Sequence, residues 1–273
     1  YDAFMAYAAT HKDCVFLVDT YDTLRLGVPA AIKAAKELGD KINFLGVRLD
    51  SGDLAYLSKK VKAALDAEGF TDAIISASND LDENLIGSLK AQGATINSWG
   101  VGTNLITSKD CPAFGGVYKL AAIWSEAEQR FLPKIKISEN AEKITNPGDK
   151  KVYRIYDLQG MIVADLIALA DEQFSADEPL LLFDPIETWK KTLLPGGSYR
   201  MKELLVPVFE KGSCVYESPK VMDIRQHCKE ELATLWEESK RFEYPHQTYV
   251  DLSRKLWNVK TGLLEQYQTG VSE

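Results

Sequence analysis

The sequence predicts an α/β protein in two parts: a parallel sheet built from repeated strand–helix units, then a β-rich region with a helical tail. Three observations carry this. A short apolar run, a polar exit and an amphipathic helix recur at intervals of about 30 residues, the size of one βαβ repeat. From Pro133 onward, short alternating runs separated by turn signals replace the continuous ones. Near the end, apolar residues return to helical spacing.

The first unit opens with the apolar run 15–18, typical of a strand covered on both faces, followed by Asp19, Thr20 and Asp22. Pro29 suits the first turn of a helix through Ile32, Ala35 and Leu38, and Gly39 suits its end. The second strand, 42–49, carries Arg48 and exits at Asp50. Ser51 or Asp53 then caps a helix whose Leu54, Leu57, Val61 and Leu65 share a face, and Gly69 stops it. In the third unit a strand begins at 73–75, Ser76, Ser78, Asn79 and Asp80 line its end, and a helix runs from Asp82 to Gly93. A fourth strand at 96–101 runs into Gly100-Val101-Gly102-Thr103. Polar exits on one edge fit a doubly wound sheet or part of a barrel. The stripe Phe4, Met5, Ala8 and Ala9 reads as a helix already under way, which favours a barrel completed by upstream residues.

Beyond Pro133, residues 134–137, 151–155, 161–163, 180–183 and 204–208 read as strands, with turns at Asn146-Pro147-Gly148 and Pro195-Gly196-Gly197. Ser218-Pro219 opens a helix bearing Met222, Ile224, Leu232, Leu235 and Trp236. Pro245 breaks it, and a last helix covers 249–267. The expected domains are 1–130 with the catalytic strand exits, 131–217 rich in β, and a helical region 218–273.

Composition narrows the function. The chain is 45% apolar over 273 residues, enough for a real core. Forty acidic and 32 basic residues give a net charge of −8 without long blocks of one sign, which disfavours broad nucleic-acid binding. No run approaches a membrane span and no signal peptide precedes the first unit, so a cytoplasmic location is expected. Cys14, Cys111, Cys214 and Cys228 are scattered and expected to be reduced and mostly buried. Adjacent His227 and Cys228 point apart on a helix, so no metal site is assigned. His11, His227 and His246 receive no catalytic role.

Among the exits, Arg48 is permanently charged and grips carboxylates or phosphates through paired hydrogen bonds. A salt bridge to Asp50 or Asp53 is the competing explanation; placement among other polar exits favours function. Asp19 and Asp50 directly follow buried strands and suit sugar hydroxyls, magnesium or developing positive charge. For Asp22 and Asp53, helix capping stands level with function. Gly100, Gly102 and Thr103, and Gly115 with Gly116, let backbone N–H groups approach an anion. Thr20, Ser51, Ser78, Asn79 and Asp80 complete the expected substrate-binding set.

Five stretches occur in order: Leu17-Val-Asp-Thr-Tyr-Asp-Thr23, Gly46-Val-Arg-Leu-Asp-Ser-Gly-Asp-Leu54, Ser76-Ala-Ser-Asn-Asp-Leu-Asp-Glu83, Trp99-Gly-Val-Gly-Thr103 and Gly115-Gly-Val-Tyr-Lys-Leu120. Together they resemble the nicotinate phosphoribosyltransferase family, and 218–260 resembles its C-terminal region. The resemblance implies a type II phosphoribosyltransferase fold, an irregular α/β barrel beside a mainly β domain. It implies that nicotinate and 5-phosphoribosyl 1-pyrophosphate give nicotinate mononucleotide and pyrophosphate, assisted by ATP and Mg2+, in NAD salvage by a possible homodimer. Asp19 and Asp50 would then stabilise an oxocarbenium-like ribose, Arg48 would hold the nicotinate carboxylate or a phosphate, and the glycine loops the 5-phosphate. The family's phosphorylated histidine lies upstream of the region matching residue 1, and His11 does not match it. The expectation is therefore a C-terminal portion of such an enzyme. Nicotinamide or quinolinate phosphoribosyltransferase, a barrel lyase or aldolase, and a non-catalytic binding module are the alternatives.

Overall fold

The computed structural model describes residues 1–113, 115–187 and 189–268. Its chain divides into two compact units, Tyr1–Gly116 and a second that begins at Val117. The first contains α1 (Asp2–Ala8), β1 (Asp13–Leu17), α2 (Val28–Leu38), β2 (Asn43–Leu49), α3 (Leu54–Ala67), β3 (Ile74–Ala77), α4 (Glu83–Ala91), β4 (Ser98–Trp99) and α5 (Thr103–Ile106). Strands β1 to β4 pair in parallel and in sequence order, and β1 and β4 are the sheet's edges among the described residues.

Apolar periodicity explains the packing. Phe16, Val47, Leu49, Ile75 and Ala77 of the sheet meet Val28, Ala31 and Ala34 of α2 and Val61 and Leu65 of α3 in one buried cluster. The helix starts are set by local carboxylates. Asp53 accepts the Tyr56 N–H at 2.9 Å, so Asp53 and not Ser51 caps α3. Asp82 accepts the Leu85 N–H at 2.7 Å and caps α4. Asp22 accepts the Leu24 and Arg25 N–H groups at 3.1 and 2.8 Å, starting a wide helical turn, Thr23–Gly27, ahead of α2.

One glycine governs the sheet. The β1–β2 register slips between Cys14 and Val15, and there Gly46 takes φ 150°. A Cβ at Gly46 would lie 2.0 Å from the Ile74 carbonyl oxygen, so β2 reaches β3 at this point only without a side chain.

The second unit begins with a hairpin, β5 (Ala122–Ser125) and β6 (Arg130–Pro133). There follow β7 (Lys150–Asp157), β8 (Ile162–Leu169), β9 (Leu180–Phe183), β10 (Lys191–Leu194), β11 (Tyr199–Glu203), a short hairpin of β12 (Phe209–Glu210) and β13 (Ser213–Cys214), α6 (Val221–Ala233), β14 (Tyr249–Leu252) and α7 (Arg254–Gln268). Six strands form one sheet in the order β10-β9-β14-β8-β7-β11, antiparallel except where β14 runs parallel to β8. Burial alternates along β8, and Ile155, Leu166, Leu182 and Tyr199 form the main core.

Several expected elements differ. Residues 134–137 are not a strand: Lys134 donates to the Ala121 carbonyl, and Lys136 donates to Thr145 Oγ1 and accepts from the Thr145 N–H, isolated bonds without a ladder. Residues 204–208 lie outside any strand; Leu204 makes one bond to Val152 beyond the end of β11, and Pro207 has no N–H to continue it. Ser218 does not cap α6, which starts after Lys220 without a side-chain bond and buries no residue. Met222, Ile224, Leu232 and Trp236 of the expected stripe remain exposed. Of the cysteines expected to be mostly buried, Cys14 is buried in β1, whereas Cys111, Cys214 and Cys228 lie exposed in a loop, a short hairpin and α6, which bury little. Residues 249–252 are strand and not helix, so the region from 218 onward contributes β14 to the sheet. Among the described residues no helix is long and apolar enough to cross a membrane.

Candidate active site

Parallel pairing sets Leu17 beside Arg48 and Arg48 beside Ser76. Asp19, Asp50 and Ser78 therefore leave their strands at one edge of the sheet. Asp19 Oδ2 accepts the Asp50 N–H at 2.7 Å and the Ser51 hydroxyl at 2.6 Å. Arg48 donates from Nε to Ser78 Oγ at 2.8 Å and from Nη2 to Asp50 Oδ1 at 3.1 Å. The Ser78 hydroxyl in turn donates to the same Asp50 oxygen. Five sequence-predicted residues, Asp19, Arg48, Asp50, Ser51 and Ser78, thus form one hydrogen-bonded chain across three strand exits.

The Asp50 carboxylate is stabilised and reachable. Donation from Ser78 is the largest influence on the Asp50 carboxyl; partial burial opposes it, Arg48 adds to it, and the net effect holds Asp50 below the ordinary carboxylate range. Arg48 and Asp50 side chains keep about half their surface, 49% and 45%. The salt bridge from Arg48 to Asp50, the competing explanation, exists, while Asp53 is occupied at the α3 cap. Pairing does not exhaust the guanidinium: Nη1 has no hydrogen-bond partner among the described residues.

Asn79 and Asp80 take φ 91° and 44°, a region that non-glycine residues seldom occupy and that Asn and Asp tolerate best. Asn104 of α5 holds this turn by donating Nδ2 to the Asp80 and Leu81 carbonyls at 2.8 and 3.2 Å. Sequence reading passed over Asn104. The only signal was its place directly after Gly100-Val101-Gly102-Thr103, a small amide at a polar exit.

The glycine loops behave differently. The Gly100 N–H is spent on the Ala77 carbonyl at 2.7 Å, so it is not free for an anion, and a Cβ there would touch Ser78 Cβ at 3.4 Å. Gly102 precedes the four-residue α5. Gly102, Thr103 and Thr20 are exposed, as are Gly115 and Gly116, and no hydrogen bond joins any of the five to the cluster among the described residues. His11 stacks on Tyr7 with ring centroids 4.2 Å apart and contacts Thr10, a local structural role.

The chain is 51% identical along its whole length to the nicotinate phosphoribosyltransferase of Bacillus subtilis (strain 168), covering 55% of that protein. The chain corresponds to a portion of the nicotinate phosphoribosyltransferases. The family's C-terminal domain, described as "Nicotinate phosphoribosyltransferase C-terminal domain", matches residues 149–260. Nicotinate phosphoribosyltransferase of Caenorhabditis elegans is 35% identical over 93% of the chain, which covers 46% of it. The chain thus spans about half the length of the family members it matches. Among solved structures, human nicotinic acid phosphoribosyltransferase superposes over 96% of the chain and 49% of its own, with a TM-score of 0.75 at 26% identity. The nicotinate-nucleotide pyrophosphorylase from Pyrococcus furiosus shares the fold, with a TM-score of 0.50 at 22% identity over 83% of the chain and 48% of its own. The fold class is accordingly α/β of the type II phosphoribosyltransferase kind, with a β-rich part.

Proposed function

We propose that this chain supplies the sugar- and base-binding wall of a nicotinate phosphoribosyltransferase acting in NAD salvage. The observation that carries the reading is the Asp19–Asp50–Arg48–Ser78 chain of hydrogen bonds at the ends of three parallel strands. In the reaction the nicotinate ring nitrogen forms a bond to the anomeric carbon of 5-phosphoribosyl 1-pyrophosphate. The bond from that carbon to the pyrophosphate oxygen breaks, and its electron pair leaves with pyrophosphate. Positive charge builds on the ribose as it departs, and the fixed carboxylates of Asp19 and Asp50 stabilise it where they are already oriented. Arg48, anchored through Nε and Nη2, offers Nη1 to the nicotinate carboxylate or a substrate phosphate.

Substrate phosphates bring magnesium into the reading. Mg2+ is held by one or two carboxylates with waters and phosphate oxygens. No group of three or more His, Cys, Asp or Glu side chains gathers among the described residues, so Asp19 and Asp50 suit a substrate-bridged ion and not a protein cage. When bound, the ion neutralises leaving-group charge. ATP hydrolysis assists the exchange in this reading, and His11, stacked on Tyr7, has no part in it. A cytoplasmic homodimer completes the proposal.

Comparative turnover tests it. With 5-phosphoribosyl 1-pyrophosphate, nicotinate should be consumed faster than nicotinamide or quinolinate, releasing nicotinate mononucleotide and pyrophosphate in equal amounts. Turnover of another base alone reassigns the substrate. Absence of calorimetric heat with phosphoribosyl pyrophosphate would make the chain a non-catalytic module.

A further inference from the structure

Asp251 lies in β14 with 5% of its surface exposed. Leu252 pairs with Phe183 in antiparallel register, which brings Asp184 across from Asp251. Like charges placed opposite each other destabilise a sheet unless something neutralises them. Asp184 is partly satisfied, since its Oδ1 accepts the Ile186 and Glu187 N–H groups at 2.8 and 2.7 Å. Asp251 is not: no donor or cation reaches its carboxylate among the described residues, although no buried side-chain oxygen or nitrogen is sealed off without a partner. Its oxygens therefore open on the adjoining cleft of about 340 Å³, which Asp184, Trp189, Thr192 and Tyr249 also line.

The two lysines at this cleft do not pair with Asp251. Lys190 pairs with Glu187 and also feels the Asp184 charge. Lys191 Nζ stands 5.1 Å over the Phe183 ring and 5.7 Å from the Trp257 ring. Burial, then the Asp184 charge, push the Asp251 carboxyl above its usual range. The volume lies at the small end for organic ligands and far exceeds a bare ion. Two carboxylates are few for a calcium cage, and the exposed Trp189 and Tyr249 rings favour an organic cation.

We propose that this cleft binds a small organic ammonium ion, with the –NH3+ group against Asp251 and Asp184 and the alkyl chain against Trp189 and Tyr249. The site lies within the second unit. The probe is 1,5-diaminopentane, titrated into the full chain at pH 8 against sodium chloride of equal ionic strength. The thermal midpoint should rise saturably with the diamine alone. Asp251→Asn, close in shape, should weaken apparent affinity about tenfold or more, the worth of one charge-assisted contact. Trp189→Ala, an exposed change, should weaken it several-fold and decides the matter if the Asp251 variant does not fold. An equal response to salt, unchanged affinity in the variants, or a response to Mg2+ or Ca2+ without one to the diamine overturns the proposal.

Discussion

Replacing Ser78 with alanine is the sharpest probe of the strand-exit cluster, because one hydroxyl links its cation to its carboxylate. The change removes the bond that Ser78 accepts from Arg48 Nε and the one it donates to Asp50. A hydrogen bond to a charged group contributes about 1.5–3 kcal/mol. Water reaches the half-exposed Arg48 and Asp50 side chains and recovers much of that, leaving a loss of about 1–2 kcal/mol for the pair. With that loss felt at the transition state, kcat/KM falls about tenfold. The pH profile carries the distinguishing sign. Ser78 is the main influence keeping the Asp50 carboxyl low, so without it the carboxyl rises and the acid limb of kcat/KM moves to higher pH. In stability the wild-type advantage is full above the unfolded carboxyl value near 4 and fades as pH falls through the lower folded value. Steady-state rates between pH 4 and 8 and acid-unfolding curves check both. An acid limb that stays in place, with kcat/KM changed less than about twofold, refutes the reasoning.

Other outcomes follow from the same geometry. Arg48→Lys should lose at least about 2 kcal/mol of transition-state stabilisation, since an ammonium cannot replace the fork, and near-normal turnover would count against its role. Gly46→Ala should destabilise the first unit by about 3 kcal/mol or more, because the new Cβ meets the Ile74 backbone at 2.0 Å with φ at 150°; an unchanged urea midpoint would show that β2 and β3 separate freely. In the second unit, Arg154 grips Asp165 through two bonds of 2.9 and 3.0 Å with only 26% and 15% of these side chains exposed. Asp165→Ala should therefore cost about 2–3 kcal/mol in urea unfolding and depend little on salt; a loss that vanishes in 1 M salt would mark the pair as superficial.

Much of the first unit is legible in the sequence because its signals are local. Strands covered on both faces read as unbroken apolar runs, as at 15–18, and the caps Asp53 and Asp82 sit beside the helices they start. Polar exits mark Asp19, Arg48, Asp50, Ser51 and Ser78 individually. Their bonding order is not local: it depends on β1–β2–β3 register, itself bent by Gly46. The same holds for Asn104, whose partners lie in the preceding strand exit. In the second unit, alternation misleads. Lys134-Ile135-Lys136-Ile137 has a strand's period but lacks a neighbouring ladder. Tyr249–Leu252 merges with the helical spacing after it, and only the slot between β8 and β9 draws it out.

That slot gives the sheet an order of assembly. Strand β14 stands between β9 and β8, yet all of β10 to β13 and α6 are made before it. On a nascent chain, β8 and β9 each keep an unpaired edge until 249–252 emerge, and the closing contact joins Ala164 to Tyr249. Such distant closure is slow, and open edges recruit other chains. A chain stopped before Tyr249 would leave the synthesis machinery with a cleft through the middle of its sheet, exposing both edges to aggregation partners and chaperones.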